Sequence, residues 1–297
     1  MGVTPSSVDE VTTAFAACRY LADRSLAVAI HLAHSLGRPL FLEGEAGVGK
    51  TEVAKVLSQV LDTELIRLQC YEGLDANHAL YEWDYARQML AIRLIEAGGT
   101  GDGASIESIM SREYLLARPL LQAVEYSSSG KPPVLLIDEL DRADEEFEAF
   151  LLEILSDFQV TIPEIGVVRA SVPPVVVITS NRTREIHDAL KRRCIYHWLD
   201  FPDLDREVAI VRAKVPDIDL RLAHQLAEAM SDLRALELFK PPGVAETLDW
   251  ARALRVLGAD ELSVGTVQDT LGVVLKYRED VEAVTQRGVE SLVRAGT

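Results

Sequence analysis

The chain is short of positive charge. Thirty Lys and Arg stand against 47 Asp and Glu, giving a formal net charge of −17, and no run of Lys and Arg is large enough to override it locally. Such a surface repels a phosphate backbone, which argues against duplex DNA or RNA as the main partner. Cysteine is as sparse. Cys18, Cys70 and Cys194 lie far apart and form no Cys-x-x-Cys pair, so neither a disulfide framework nor metal-ligand spacing is present and reduced thiols in a cytoplasmic protein are expected. No apolar run nears the length that spans a bilayer, and Asp9 and Glu10 stand where a secretory leader would carry basic charge. No integral membrane segment is expected. The sequence also lacks Gly-x-Ser-x-Gly and any Ser/His/Asp pattern of a protease or esterase. His31 and His34 have helical i, i+3 spacing, but no cysteine or acid completes a metal site, and Trp83, Trp198 and Trp250 read as packing.

What is there is a phosphate loop. Gly44-Glu45-Ala46-Gly47-Val48-Gly49-Lys50-Thr51 reads G-x-x-x-x-G-K-T. Residues 39–43 before it form a short apolar strand pattern, and Val53, Val56, Leu57 and Val60 after it lie on one helical face. Strand, glycine loop and helix is the context in which this motif cradles phosphates. The glycines let successive N–H groups approach phosphate oxygens, and the helix start favours negative charge. Lys50 is expected to reach the β- and γ-phosphates of ATP, and the Thr51 hydroxyl to ligate Mg²⁺.

At 297 residues, 48% of them hydrophobic, two domains are expected. Residues 7–36 are helical in pattern. Strands are expected at 65–70, 134–137 and 175–178, the last two as continuous apolar runs covered on both faces. Between them Phe147, Phe150, Leu151, Ile154 and Leu155 mark a helix over 144–156, and Val160, Ile162, Val167 and Arg169 flank a turn at 163–166. The stretch 71–94 is rich in aromatics and acids, and Gly98 to Gly103 reads as a flexible loop. Alternating strands and helices argue for a parallel α/β sheet. After Pro202 only helical periodicity remains, interrupted at Pro216, Pro241-Pro242-Gly243 and Gly258. The expected division is an α/β nucleotide-binding domain at 1–202 and an α-helical lid at 203–297.

Asp138 and Glu139 end the 134–137 strand. In P-loop enzymes such an Asp holds Mg²⁺ and the adjacent Glu polarises the attacking water; two acids that merely end a strand and cap a helix are the structural alternative. Asn181 ends a second buried strand, at the edge of an α/β sheet where ligands bind.

GEAGVGKT, VLLIDELD and VVVITSN, in that order and followed by an Arg-rich turn and a helical region, resemble the AAA+ ATPases. DELDRA at 138–143, the hairpin at 160–169 and an insert at about 72–97 resemble the MoxR branch. LIRLQCYEGLDANHALYEWDYARQMLAIRL and KPPGVAETLDWARAL resemble its CoxD-type members, which are found beside molybdenum-containing carbon monoxide dehydrogenases. The resemblance covers nearly the whole chain. It implies that residues 44–51 are Walker A, Asp138 and Glu139 Walker B, and Asn181 sensor 1. It makes Arg193 the best match to an arginine finger serving the next subunit, with Arg192 its near rival. Thr247 falls where a sensor 2 arginine is expected, with Arg252 and Arg255 further along. The implied activity is Mg-ATP-dependent protein remodelling by a hexameric ring. A von Willebrand A-domain partner and an immature molybdenum hydroxylase client are implied with it. A nucleic-acid-directed motor and a small-molecule kinase are the rivals; the charge disfavours the first, and the acid pair, helical region and Arg-Arg turn fit the second poorly.

Overall fold

The computed structural model describes residues 5–96, 109–126 and 130–293; the glycine-rich loop at 98–103 and the last residue of the 72–97 insert lie outside them. The chain divides into two compact units. Of the described residues, one unit comprises those within 28–43 and 57–197, the other those within 5–27, 44–56 and 198–293.

The first unit is built on β1 (Leu40–Gly44), β2 (Leu65–Gln69), β5 (Val134–Asp138), β8 (Val175–Ser180) and β9 (Ile195–Leu199), ordered β2-β5-β8-β1-β9. The pairings β2–β5, β5–β8 and β8–β1 are parallel. β1 and β5 are buried along their whole length, as strands covered on both faces must be, and the apolar runs Leu40-Phe41-Leu42 and Val134-Leu135-Leu136-Ile137 follow from that burial. Because neighbouring strands run together, Glu43, Asp138 and Ser180 all emerge at one carboxyl edge.

Smaller elements complete this unit: α4 (Ala76–Leu80), β3 (Tyr81–Trp83), α5 (Tyr85–Glu96), β4 (Leu115–Ala117), α6 (Pro119–Glu125), α7 (Glu145–Asp157), the hairpin β6 (Gln159–Ile162) with β7 (Gly166–Arg169), and α8 (Asp188–Lys191). The carboxylate of Asp144 accepts the Phe147 N–H at 2.8 Å and starts α7, a side-chain cap of the usual N-terminal kind. Phe147, Leu151, Ile154 and Leu155 then bury one face of that helix against the sheet core.

The 7–36 run is interrupted. It forms α1 (Val8–Ala17) and α2 (Arg24–Leu36), because Arg19 takes a left-handed backbone and Asp23 accepts the Leu26 N–H at 2.7 Å to begin a new helix. β9 was not foreseen either; Ile195-Tyr-His-Trp-Leu199 is partly exposed and lacks the unbroken aliphatic run of β5.

The second unit contains α1, the first residues of α3 (Lys50–Leu61), and α9 (Leu204–Lys214), α10 (Leu220–Arg234), α11 (Val244–Val256), α12 (Val264–Val274) and α13 (Arg278–Arg287). Its core centres on fully buried Trp250, packed with Leu226, Met230, Leu254, Val267 and Leu271. The Trp250 indole N–H donates to Thr270 Oγ1 at 2.7 Å, so the large ring is buried without an orphaned donor.

Candidate nucleotide site

The loop at 44–51 is held by its own backbone and by that of residues further along the second unit. Lys50 is buried, and its Nζ donates to the carbonyls of Gly44 and Glu45 at 2.7 Å each. These carbonyls curl the loop around the ammonium, while Lys50 and Thr51 begin α3. Two glycines are required by close approach. A Cβ on Gly44 would lie 2.3 Å from the Leu199 carbonyl oxygen, and one on Gly47, at φ +80°, would lie 3.0 Å from the Gly243 Cα. The Gly47 carbonyl accepts the N–H groups of Val244 and Ala245 at 3.0 and 3.3 Å, so the first amides of α11 point into the loop.

Gly243 and α11 are fixed by a buried polar knot. The Arg234 guanidinium donates to both Glu207 carboxylate oxygens at 2.6 and 2.7 Å, to the Pro242 carbonyl at 2.8 Å, and stacks on Phe201. Thr247, fully buried, donates to Glu207 at 2.6 Å. The position where the resemblance expects a sensor 2 arginine is thus occupied by a hydroxyl absorbed into this knot.

A cavity of about 280 Å³ opens beside Gly47, Val48 and Gly49. Tyr20, Leu21, Leu199, Pro202, Ile210, Val244 and Leu248 supply an apolar lining, and Arg19, Arg206, Lys214 and Arg252 bring cations to it. An apolar cleft with a few convergent polar groups is the usual form of a small-molecule site. Arg206 is held by Asp23 at 2.6 Å and by the Leu21 carbonyl at 3.0 Å, and Lys214 by Glu52 at 2.8 Å. Burial pushes the Asp23 carboxyl upward, but the Leu26 N–H, the Ser25 hydroxyl and Arg206 outweigh it and hold the group below its ordinary value of 3.8. Burial drives the Tyr20 phenol well above its ordinary range, so it stays protonated.

In the first unit the carboxyl edge is organised by side chains. Asp138 is buried; Thr179 donates to its Oδ1 at 2.6 Å, and Arg67 to its Oδ2 through Nε at 3.0 Å and NH2 at 2.6 Å. The same Thr179 Oγ1 accepts the Glu139 N–H at 2.9 Å. Glu139 has φ +55° and ψ 51°, a left-handed conformation costly for a residue with a Cβ. Its carboxylate accepts from Gln69 Nε2 at 3.1 Å and Arg142 NH1 at 3.3 Å. Asn181 follows β8, half-buried, with its N–H donated to Asp141 at 3.1 Å; its side chain makes no hydrogen bond among the described residues. Glu43, buried at the end of β1, accepts the Tyr196 hydroxyl at 2.9 Å and lies 3.7 Å from Lys191 Nζ. Burial and this carboxylate push the Tyr196 phenol up to about 12.

Asp138 in the first unit and Thr51 in the second each carry the hard oxygen donor that Mg²⁺ prefers. The buried Asp138 carboxylate is paired with the Arg67 guanidinium at 2.6 Å. Among the described residues no group of three or more His, Cys, Asp or Glu is placed to hold a metal.

The two turn arginines differ. Arg193 donates through NH1 to the Leu152 carbonyl at 2.8 Å and the Ser156 hydroxyl at 2.6 Å, both on α7. The Arg192 side chain is 82% exposed, with Asp188 at 3.9 Å. Arg67, Gln69, Asp141, Glu43 and the Glu207–Arg234 pair carry no local mark in the sequence, because each acquires its role from a partner distant along the chain.

A glycine loop after the first strand of a parallel sheet, acids ending another strand and a C-terminal helical region define a P-loop nucleotide-binding protein. A family model described as an AAA domain of the dynein-related subfamily matches residues 39–194, and the chain belongs to that family. Two Staphylococcus aureus proteins named only as uncharacterized are similar to it. The one from the bovine strain RF122 / ET3-1 is 26% identical, and the one from strain NCTC 8325 / PS 47 is 25% identical; each match covers 74% of this chain and 76% of the relative. Among solved structures, a point variant of Thermotoga maritima RuvB aligns with a TM-score of 0.50 at 18% identity, over 97% of this chain and 83% of that one. Another, titled as the RuvB Holliday junction branch migration motor, aligns at 0.49 and 18% over the same shares. The likeness is one of fold. No helix among the described residues is long and apolar enough to cross a membrane.

Proposed function

We propose that this chain is a Mg-ATP-dependent AAA+ ATPase of the MoxR type, nearest the CoxD-type members, that remodels a client protein. The observation that carries the ATPase reading is Glu139: a carboxylate beside the buried Asp138, held in a left-handed turn by Thr179 and aimed by Gln69 and Arg142. Strain of this kind is retained where the surroundings over-determine it, often for function. Lys50 and the loop amides would bind the phosphates of ATP, and Thr51 and Asp138 would hold Mg²⁺, which neutralises phosphate charge when bound. Glu139 would take a proton from the attacking water, oriented by Asn181. Arg192, exposed while Arg193 is tied to its own chain, is the better placed to reach a neighbouring subunit. The division into a 1–202 nucleotide domain and a 203–297 lid, the hexameric ring and the cytoplasmic location belong to the same proposal.

The choice of a protein client rests on two features. The net charge of −17 disfavours nucleic acid, and α5, within the 72–97 insert, exposes Tyr85, Met89, Leu90 and Leu94. Exposed apolar groups clustered on one element favour protein contact. The immature molybdenum hydroxylase and the A-domain co-chaperone follow from the family resemblance alone.

The test is a pair of variants. Lys50→Ala is expected to lose nucleotide binding or turnover, and Glu139→Gln to bind ATP with Mg²⁺ without hydrolysing it, read by labelled-nucleotide binding and phosphate release. Full turnover by Glu139→Gln would remove the catalytic assignment. The fold shared with RuvB keeps one alternative, a nucleic-acid-directed AAA+ motor; strong stimulation of hydrolysis by DNA at moderate salt would favour it over a protein client.

A further inference from the structure

The segment from Asn181 to Arg193 is fastened to the elements after β5 by two buried carboxylates that the reaction itself does not use. Asp141, in the turn after Glu139 and only 4% exposed, accepts the Asn181 N–H at 3.1 Å, the Thr183 N–H at 2.9 Å and the Thr183 hydroxyl at 2.7 Å. Glu148 on α7 is fully buried. It accepts the His187 N–H at 2.7 Å and pairs with Arg184 NH2 at 2.5 Å. Arg184 also donates to the Ala143 carbonyl at 2.6 Å. His187 in turn caps α8 by accepting the Ala189 N–H at 3.1 Å, and the Arg193 clasp on α7 closes the far end. Between the His187 cap and the Arg193 clasp, Arg192 is left exposed.

A fully buried carboxylate is retained only where its charge is paired and hydrogen-bonded. Here all the partners lie on one surface segment, and they are largely backbone N–H groups, which set chain direction rather than side-chain chemistry. Arg193, the residue the resemblance matches best to the finger, acts in this arrangement as a bolt.

We propose that Asp141 and Glu148 are positioning residues that, with the Arg193 clasp, hold the α8 turn so that Arg192 is presented to a neighbouring subunit. This rests on the reading of Arg192 as a residue acting in trans, and the experiment separates the two. Glu148→Gln keeps an acceptor for the His187 N–H but loses the charge facing Arg184. The full-length variant is expected to bind ATP within about twofold of the parent and to hydrolyse it about 10²-fold more slowly, the scale of an ångström-sized misplacement of a catalytic group.

Equimolar mixing with Lys50→Ala subunits before assembly is expected to restore turnover well above either variant alone. Each Glu148→Gln subunit keeps its own nucleotide loop and acids and borrows a correctly held arginine from its neighbour. Arg192→Ala mixed with Lys50→Ala is the reference. Recovery there without recovery for Glu148→Gln overturns the positioning role; recovery in neither overturns the reading of Arg192 in trans and the proposal with it. Parent-like turnover by Glu148→Gln alone also overturns it. If that variant does not fold, Asp141→Asn and the half-exposed Arg184→Gln take the same arms, and parent-like turnover by both counts against the proposal.

Discussion

The loop at 44–51 and the carboxyl edge of the sheet hold polar groups by opposite means. In the loop, backbone satisfies backbone and Lys50: the Gly44 and Glu45 carbonyls hold the ammonium, and the Gly47 carbonyl takes the first amides of α11. At the sheet edge, side chains do the work, with Thr179, Arg67, Gln69 and Arg142 each fixing an oxygen or N–H of Asp138 or Glu139. A backbone-built site is vulnerable to added bulk. A side-chain-built site is vulnerable to lost hydrogen bonds and charge, and it extends as far as its network, here to the α8 turn.

The largest effect that sharpens this contrast lies at that turn. Arg192→Ala is expected to slow hydrolysis about 10³-fold or more, the order for loss of such an arginine, with ATP binding near normal. Arg193→Ala is expected to cost less, through a loosened turn. Steady-state turnover of both assembled variants measures the difference, and an inverted order would return the finger to Arg193.

Bulk is tested next. In Gly243→Ala the new Cβ would lie 2.7 Å from the Gly47 Cα and 2.9 Å from the Ala46 carbonyl oxygen. Overpacking of this kind costs about 1–3 kcal/mol and is expected to lower the melting temperature and weaken ATP binding together. Unchanged affinity would break the claim that the α11 start shapes the loop.

Thr179→Val conserves shape but removes the hydroxyl that accepts the Glu139 N–H and donates to Asp138 Oδ1, at a cost of about 1–3 kcal/mol. Hydrolysis is expected to fall more than ATP affinity, because the left-handed Glu139 turn loses its tether; equal losses in both would contradict the side-chain-built description.

The smallest effect is titration of the Asp23–Arg206 pair. The folded carboxyl lies below its ordinary value of 3.8, so its contribution is complete above that pH and is lost as pH falls through the lower folded value. Asp23→Asn is therefore expected to destabilise the protein slightly near neutrality and to match the parent in strong acid, as followed by denaturant melts. A difference that grew on acidification would have the wrong sign.

The legible parts of this protein were local. The strand-loop-helix around Lys50, the apolar strands ending at Asp138 and before Asn181, and α7 with its Asp144 cap are each specified by residues within a few turns of one another. The break between α1 and α2 was less so, since the apolar pattern runs through it and only the left-handed Arg19 and the Asp23 cap divide it. β9 was hidden because aromatic, partly exposed residues mimic a loop.

By itself the sequence determined a P-loop α/β protein with acids at a strand end and a helical C-terminal region, since hydrophobic period and glycine placement act at short range. Only the tertiary structure decided that Thr247 belongs to the Arg234–Glu207 knot, that Glu139 is held by Gln69 and Thr179, and that Arg193 is tied down while Arg192 is exposed. Those choices depend on which side chains strand order and helix packing bring within hydrogen-bond distance, and residues separated by tens of positions carry no local mark of their eventual partners.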